Sequence, residues 1–305
     1  MANSVTVRAP SSTANLGPGF DVFGLALDAF YDEVTLTKKK QGITIVTFDN
    51  IPVSPQKNTA GLVVKYMKKK FKIKSGIQIT VKKGVPAGFG MGSSAASAAA
   101  AAVAFDKLFK LGLDDKTLVE CAGVGERASA GAIHYDNVSA SVLGGFVIVK
   151  TNPLDVIRIS PPKNLRLCVA VPKLDVPPKK TEVSRSVIPK NVALKDSIEN
   201  LSNAASIVAG FAKGDSVLIG SSIKDVIVEP ARQHLIPGFS AIKKNALKAG
   251  ALGFTISGAG PSVIAFATNN SELRKIATAM KKGFATAKID CITIICKPSE
   301  GARPR

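Results

Sequence analysis

A glycine-rich turn between a strand-like segment and an alanine-rich helical segment constrains this chain more than any other feature. It reads VPAGFGMGSSAAS over residues 85–97 and follows a strand-like pattern at residues 77–82. Its three glycines allow the backbone to take up positive φ and to point successive N–H groups inward. The two serines then open a helix whose free N–H groups and positive dipole end favour an anion. The segment therefore predicts a phosphate-binding loop.

Several well-known glycine-rich motifs do not describe this loop. No lysine follows its last glycine, as a Walker A loop requires, and no acidic residue stands where a dinucleotide fingerprint needs one. The catalytic and magnesium motifs of protein kinases do not occur in the sequence either. The alternative without a ligand is a tight strand-to-helix connection whose small residues serve packing alone.

Strand-like and helical patterns divide the chain into two halves. With 305 residues, 46% of them hydrophobic, the chain can bury a substantial core and is expected to form roughly two domains. We place them at residues 1–155 and 156–305, because a stretch rich in Pro and Lys follows Pro153. In the first half, strands are predicted at residues 5–9, 33–37, 43–48, 77–82 and 145–150, and helices at 60–70, 94–111 and 116–130.

The second half has a different order of elements. A strand is predicted at residues 165–171, helices at 197–213, 216–228 and 241–249, a hairpin at 253–268, a helix at 272–284 and a last strand at 290–297. Strand, helices, hairpin, helix and strand is the order of a ferredoxin-like sandwich. The predicted fold class is therefore α+β.

The excess of positive charge restricts the partners only weakly. The chain has 41 basic and 22 acidic residues, a formal charge of +19, which could attract nucleic acid, anionic membranes or phosphorylated substrates. Most of the excess is lysine in short clusters, such as residues 38–40 and 68–70, without the interleaved aromatic residues of single-strand binders. We interpret the clusters as a solvated surface and expect no nucleic-acid partner, with nucleic-acid binding as the alternative.

Nothing in the sequence predicts a membrane or an oxidising compartment. No apolar run approaches the ~18 residues that span a bilayer, and the first residues form no basic and apolar leader. The four cysteines form no CxxC pair, and two histidines are too few to complete a metal site with them. We expect a cytoplasmic protein with reduced thiols and no membrane partner.

Three motifs in order along the chain resemble those of the GHMP kinases, a family of small-molecule kinases. They are APSSTANLGPGFD at residues 9–21, the glycine-serine loop at 85–97, and TISGAGPS at 255–262. The resemblance covers nearly the whole chain. It implies ATP and Mg²⁺ as cofactors. It also implies an N-terminal domain related to a ribosomal protein fold, a C-terminal ferredoxin-like domain and an active site in the cleft between them.

The resemblance also implies the residues that bind the nucleotide and the metal. Ser94 and Glu126 match the serine and glutamate that contact magnesium, although Glu126 could instead be a solvated helix residue paired with Arg127. Magnesium keeps most of its water and needs only one or two protein oxygens. The residues implied to bind ATP are Asn58, Pro86, Ala87, Gly88, Phe89, Gly90, Met91, Gly92, Ser93, Ser94, Ala95 and Ala96.

The first motif is most similar to that of the branch that phosphorylates L-homoserine in threonine biosynthesis. Homoserine is a zwitterion with a free hydroxyl, so its site needs a cation, an anion or carbonyl oxygens, and a polar group for the hydroxyl. The matching positions imply that Arg185 and Arg232 hold the carboxylate and that Asp21 holds the ammonium. They also imply that Asn15 orients the hydroxyl. The other residues implied to contact the substrate are His134, Asn137 and Thr181. Each has an alternative without a ligand, such as backbone capping by Asn15 and Asp21 in a turn.

The identity of the base stays open at this stage. The residues implied to take part in catalysis are Asn15, Asp136, Asn137 and Arg185. Homoserine kinases are usually described as lacking a dedicated base, with Asn137 in the place where mevalonate kinases have an aspartate. Asp136 is the alternative base, although a loose transition state for phosphoryl transfer does not require a strongly activated nucleophile.

Other interpretations also stay open. A kinase for mevalonate, shikimate or diphosphomevalonate would share the phosphate loop, but those substrates lack the ammonium group that Asp21 would bind. A catalytically silent relative would bind metabolites without turnover. The resemblance further implies a homodimer.

Overall fold

The computed structural model describes residues 3–128, 133–177 and 180–305. Its strands are β1 (Ser4–Ala14), β2 (Phe23–Lys39), β3 (Ile43–Thr47), β4 (Gly76–Lys82), β5 (Phe146–Thr151), β6 (Leu154–Ile159), β7 (Arg166–Pro172), β8 (Gly253–Ile256), β9 (Val263–Ala267), β10 (Cys291–Cys296) and β11 (Arg303–Pro304). Its helices are α1 (Thr59–Lys70), α2 (Ser93–Phe109), α3 (Asp115–Glu126), α4 (Tyr135–Leu143), α5 (Lys180–Ser186), α6 (Leu194–Lys213), α7 (Ser216–Ser221), α8 (Val228–Arg232), α9 (Phe239–Lys248) and α10 (Asn270–Ala285). A 3-10 turn at Gln233–Leu235 follows α8.

The first sheet carries most of the N-terminal half. In the described part of the chain it has seven strands, in the order β11, β1, β2, β4 and β3, with β5 paired to β2 and β6 paired to β5. Strand β6 crosses the predicted division at residue 155 and continues this sheet to Ile159. Strand β11 returns from the C-terminus to pair with β1. The division into residues 1–155 and 156–305 stays a prediction.

Helix α2 lies at the centre of this half. It packs against β1 and β2 on one side and against α1, α3 and α4 on the others. Its run from Ala95 to Phe105 is buried, and most of these residues are alanine. Small side chains let neighbouring backbones approach closely from several directions at native packing density. The core therefore fixes the helix that the glycine-rich loop enters.

The second sheet lies in the C-terminal half and is antiparallel in the order β10, β7, β9 and β8. Helices α9 and α10 pack against one another and against this sheet. On α10, Leu273, Ile276 and Met280 are fully buried, at spacings that form one apolar face. The sheet order and the helices confirm the predicted ferredoxin-like sandwich and the α+β class.

The structure also corrects several predicted elements. Of the predicted helix 216–228, only residues 216–221 form a helix, α7. The next helix, α8, begins at Val228, where the Asp225 carboxylate accepts hydrogen bonds from the N–H groups of Ile227, Val228 and Glu229. Helix α4 was not predicted, since its serines, asparagine and valines are weak helix formers and its packing against α2, α3 and the first sheet decides the outcome. The predicted helix 116–130 ends at Glu126, and residues 129–130 lie outside the described residues. No helix in the described ranges is long and apolar enough to cross a bilayer.

Candidate active site

A cleft of about 500 Å³ opens where the two halves of the chain meet. Its walls include the glycine-rich loop, the turn after β1, the start of α4, helix α5 and the turn after β8. The predicted site residues that line it are Asn15, Asp21, Asn58, Ala87, Gly88, Gly90, Met91, Gly92, Ser93, Ser94, Glu126, His134, Asp136, Asn137, Thr181, Arg185 and Arg232. Pro86, Phe89, Ala95 and Ala96 do not line it, and the two alanines belong to the buried face of α2. Residues far apart in the sequence are thus gathered around one cavity.

The three sequence motifs contact one another directly at the floor of the cleft. The Ser257 hydroxyl donates to the Gly90 carbonyl oxygen at 2.8 Å, and its oxygen lies 3.0 Å from Thr13 Oγ1. The Asn15 amide donates to the Gly258 carbonyl oxygen at 2.9 Å, and the Ser12 N–H donates to the Met91 carbonyl oxygen at 3.0 Å. The third motif therefore packs beside the phosphate loop, and the first motif holds both.

The glycine-rich loop has the backbone conformation that the sequence predicted. Gly88, Gly90 and Gly92 have φ values of 85°, 74° and 67°, in the left-handed region that favours glycine. A Cβ atom on Gly90 would lie 2.1 Å from the Ser257 carbonyl oxygen, and one on Gly92 would lie 2.1 Å from Ser12 Oγ. Close approach and positive φ thus both require glycine at these two positions.

The two serines at the start of α2 have different roles. The Ser93 hydroxyl donates to the Val85 carbonyl oxygen at 2.9 Å and closes the loop on itself. The Ser94 side chain lines the cleft and makes no hydrogen bond with other described residues. The Ser94 oxygen is therefore available to a ligand, as its predicted metal contact requires.

A buried carboxylate supports the loop from below. Asp32 is fully buried and accepts hydrogen bonds from the Gly84 and Val85 N–H groups at 2.9 and 3.0 Å. Its other oxygen accepts from Ser97 Oγ at 2.6 Å and pairs with the ammonium of Lys83. The Lys83 ammonium also donates to the Ser93 carbonyl oxygen at 2.9 Å. This network fixes the strand end, the loop and the first turn of α2 relative to one another.

The predicted ammonium-binding and carboxylate-binding residues are bound to each other in this structure. The Arg185 guanidinium donates to both oxygens of Asp21, at 2.7 and 2.9 Å. Asp21 has a φ of 59°, and its N–H donates to the side-chain oxygen of Asn15 at 3.1 Å. Asn15 therefore has a capping role in the turn as well as a place on the cleft wall.

A second arginine lies beside this pair. Arg232 Nε donates to the Ser184 carbonyl oxygen at 2.8 Å, and Nη1 donates to the Gly258 carbonyl oxygen at 3.2 Å. The ring of Phe20 lies 5.1 Å from the Arg232 guanidinium carbon and 5.3 Å from that of Arg185. Burial lowers the pKa of Arg232 to about 10, so the group stays cationic at neutral pH. Two guanidinium groups and one carboxylate thus share this end of the cleft.

The start of α4 brings Asp136 and Asn137 to the cleft wall. Asp136 is 3% exposed, and burial raises its pKa to about 6. Its carboxylate accepts a hydrogen bond from the Asn137 N–H at 2.7 Å. The Asn137 side-chain oxygen accepts from Ser12 Oγ at 3.0 Å, which leaves the orientation of this amide fixed next to Gly92.

Glu126 and His134 form a pair on the same wall. Their Oε2 and Nδ1 atoms lie 3.3 Å apart, and this contact with Glu126 raises the pKa of His134. The Nε2 atom of His134 is buried and has no hydrogen-bond partner among the described residues. A hydroxyl from Ser94 and a buried carboxylate from Glu126 fit the oxygen preference of Mg²⁺, which takes few protein ligands.

Asn58, which also lines the cleft, is the N-cap of α1. Its side-chain oxygen accepts from the Gly61 N–H at 3.0 Å, and its amide donates to the Pro52 carbonyl oxygen at 2.8 Å. The residue lines the cavity together with Ile51 and Pro52. Its predicted contact with adenine stays a prediction.

Lys83, Lys180 and Phe20 are among the site residues that the sequence did not single out. Lys83 and Lys180 line the cleft, and the Phe20 ring lies near both arginines. Phe20 lies inside the first motif, but an apolar side chain there gave no chemical signal. The two lysines are among 41 basic residues, and no local pattern separates them from surface lysines.

Comparisons with known proteins show the family of this chain. The family described as GHMP kinases N terminal domain matches residues 58–145, and GHMP kinases C terminal matches residues 207–286. A homoserine kinase from Thermoplasma volcanium is 43% identical over 272 residues, 89% of this chain and 87% of that relative. One from Aeropyrum pernix is 41% identical over 302 residues, 97% of this chain and 96% of that relative. The crystal structure of a homoserine kinase from Cytophaga hutchinsonii has a TM-score of 0.94 at 38% identity, covering 100% of this chain and 98% of that chain.

A glycine-rich loop that opens a helix, in a cleft between an α+β domain and a ferredoxin-like domain, defines a kinase of small molecules. The cleft offers the charges for a small polar acceptor beside the phosphate loop. The chain belongs to the GHMP kinase family and, within it, to the homoserine kinases.

Proposed function

We propose that this protein transfers the γ-phosphoryl group of ATP to the side-chain hydroxyl of L-homoserine, giving O-phospho-L-homoserine and ADP. The observation that carries the proposal is the placement of Asp21, Arg185 and Arg232 at one end of the cleft. A zwitterion needs both signs of charge, and mevalonate and shikimate have no ammonium group for Asp21. The identities of 41–43% to homoserine kinases support the same acceptor.

The nucleotide would lie along the loop and the start of α2. Backbone N–H groups at positive φ and the helix N-terminus favour the phosphates. We assign Asn58 to the adenine, because it lines the cleft beside Ile51 and Pro52. Ser94 and Glu126 would hold magnesium, which neutralises charge between the phosphates when bound.

The acceptor would lie between the arginines and α4. Its carboxylate would bind Arg185 and Arg232, and each charge-assisted hydrogen bond contributes about 1.5–3 kcal/mol. Its ammonium would bind Asp21, and its hydroxyl would face Asn15 and Asn137. His134 Nε2 and Thr181 complete the proposed pocket, since both residues line the cleft.

The transfer itself forms one bond and breaks another. The hydroxyl oxygen of homoserine bonds to the γ-phosphorus, while the bond from that phosphorus to the β–γ bridging oxygen breaks and ADP leaves. The hydroxyl proton leaves late in a loose transition state. It goes either to a phosphate oxygen, with Asn137 orienting the hydroxyl, or to Asp136, which lines the cleft. Arg185 would stabilise charge at the acceptor end.

A substrate panel tests this function. Purified protein with magnesium and ATP is expected to release ADP with L-homoserine at a rate far above that with mevalonate, shikimate or no acceptor. Turnover of another alcohol instead would keep the ATP site and reject the proposed roles of Asp21, Arg185 and Arg232. The absence of any turnover would favour a silent relative that binds metabolites.

We also propose a cytoplasmic homodimer without nucleic-acid or membrane partners. All four cysteines are free, which suits a reducing compartment. Helix α6 exposes Leu194, Ile198 and Leu201, at 76%, 59% and 70%, along one face. A second copy of the chain is the proposed cover for this face.

A further inference from the structure

Lys180 is a cation of the cleft that the proposed function leaves without a role. It is the first residue of α5, it is partly buried, and its ammonium donates to the Gly260 carbonyl oxygen in the third motif. That carbonyl oxygen lies 2.9 Å from the position that a Cβ atom on Gly90 would occupy. The Gly260 carbonyl group therefore lies between the Lys180 ammonium and the phosphate loop.

The segment that leads into α5 also lies against the loop. A Cβ atom on Gly88 would lie 2.9 Å from Cγ1 of Val176. Ser184, one turn further along α5, donates to the Ala259 carbonyl oxygen at 3.0 Å. Contacts of residues before and after Lys180 in the sequence therefore hold it next to the phosphate loop and the third motif.

Among the described residues, the charges of the cleft provide no counter-ion for this ammonium. Lys83 pairs with Asp32, and Arg185 pairs with Asp21. Within the described residues, no carboxylate lies within ion-pair distance of Lys180. Burial, and then the positive charge of Arg232, lower the pKa of Lys180 to about 7. A buried cation without an anion is unfavourable, so a bound anion at this position would be strongly stabilised.

The phosphate loop explains which anion belongs here. The loop has no lysine of its own, whereas a Walker A loop supplies one to the terminal phosphates. A lysine ammonium binds phosphate as a compact point charge. The loop and α5 are far apart in the sequence, and the cleft brings them together.

We propose that the Lys180 ammonium binds the terminal phosphate of the nucleotide and neutralises charge on it during transfer. This inference rests on the proposed function, because it requires ATP in the loop. Lys180 would supply from α5 the positive charge that the loop lacks.

The test compares Lys180→Met with Lys180→Arg and with the control Lys190→Met, which removes an exposed lysine outside the cleft. Calorimetry measures the dissociation constants of a non-hydrolysable ATP analogue and of ADP, both with magnesium. Lys180→Met is expected to weaken binding of the ATP analogue by about 10-fold or more while ADP binding changes little. It is also expected to lower kcat by roughly 100-fold or more, with the KM for homoserine near that of the wild type. Lys180→Arg keeps the charge and should retain part of both properties, and Lys190→Met should match the wild type.

The outcomes separate this inference from the proposed function. If the wild type turns over homoserine and Lys180→Met keeps both kcat and the preference for the ATP analogue over ADP, only the inference fails. A higher homoserine KM with unchanged nucleotide binding would assign Lys180 to the acceptor and also overturn it. If the wild type uses a different alcohol but the variant loses the nucleotide preference, the inference holds and the acceptor is wrong. A wild type that binds neither nucleotide overturns both. Lys180→Arg keeps the comparison informative if Lys180→Met does not fold.

Discussion

Two aspartates of the cleft have opposite surroundings. The Asp21 side chain is 43% exposed and forms two hydrogen bonds with Arg185. Asp136 is 3% exposed, and burial holds its pKa near 6. The first is suited to exchange its partner for a substrate cation. The second is suited to a change of protonation near neutral pH, and this has consequences for stability.

Asp136→Asn is expected to stabilise the substrate-free protein at pH 7 by roughly 2–3 kcal/mol. The pKa of Asp136 rises from 3.8 in the unfolded chain to about 6 in the fold, so its contribution to stability is present below pH ~4 and is lost as pH rises through ~6. The difference between variant and wild type should therefore shrink to near zero at pH 4. Urea unfolding at several pH values measures this, and a difference that does not depend on pH would contradict it.

The same variant decides between the two routes for the hydroxyl proton. If a phosphate oxygen takes the proton, as a loose transition state permits, kcat of Asp136→Asn at pH 8 stays within a few-fold of the wild type. A loss of several orders of magnitude, with homoserine binding intact, would instead assign the base to Asp136.

At the scale of elements, a short helix positions Arg232. Asp225 is buried, and its carboxylate accepts from the N–H groups of Ile227, Val228 and Glu229, at 2.8, 2.9 and 2.8 Å, at the start of α8. Asn200 of α6 donates to the same carboxylate at 3.0 Å. Arg232 is the last residue of α8. The cap therefore determines where the guanidinium lies.

Asp225→Ala is expected to destabilise the protein by about 2–4 kcal/mol and to raise the KM for homoserine roughly tenfold. The physical reason is that three buried N–H groups lose their acceptor and α8 loses its fixed start. Asp215→Ala is the matched control. It removes the exposed cap of α7, where Asp215 accepts from the N–H groups of Val217 and Leu218, and should cost about 1 kcal/mol. A rise of the homoserine KM in both variants, or in neither, would show that the cap does not act through Arg232.

Local and long-range features of the site differ in how far the sequence could predict them. The positive φ values of Gly88, Gly90 and Gly92 were predictable, because glycine pattern and helix start are local signals. Helix α4 was not, since it depends on packing between α2 and the first sheet. The position of Lys180 was not predictable either, because it depends on a contact with Gly260, which is 80 residues away in the sequence. No local pattern encodes such a contact.

At the scale of the whole molecule, helix α6 presents a row of exposed apolar side chains. Leu194, Ile198 and Leu201 follow one another at spacings of four and three residues, which places them on one side of the helix. Asn200, which holds Asp225, is buried on the same helix. A dimer formed on this face would therefore use the same helix that contributes Asn200 to the contacts that position Arg232.

Leu201→Glu is expected to convert a dimer into a monomer, because a charge would be buried in an apolar interface. Sedimentation velocity at micromolar concentration measures this. The control Leu247→Glu changes a leucine on α9 that is 44% exposed and should leave the dimer intact. A wild type that is monomeric at all concentrations, or a dimer that Leu201→Glu does not affect, would contradict the proposed interface.

The ion pair of Asp21 and Arg185 turns substrate binding into an exchange of counter-ions. Without substrate, each residue already neutralises the other. Under the proposed roles, an amino acid with both charges replaces one internal pair by two external ones, and the balance of charge is kept. A ligand with only a carboxylate, or only an ammonium, would separate the pair and leave one member without a partner. The site would thus bind singly charged alcohols poorly, because they do not supply the second charge. No steric barrier would be needed.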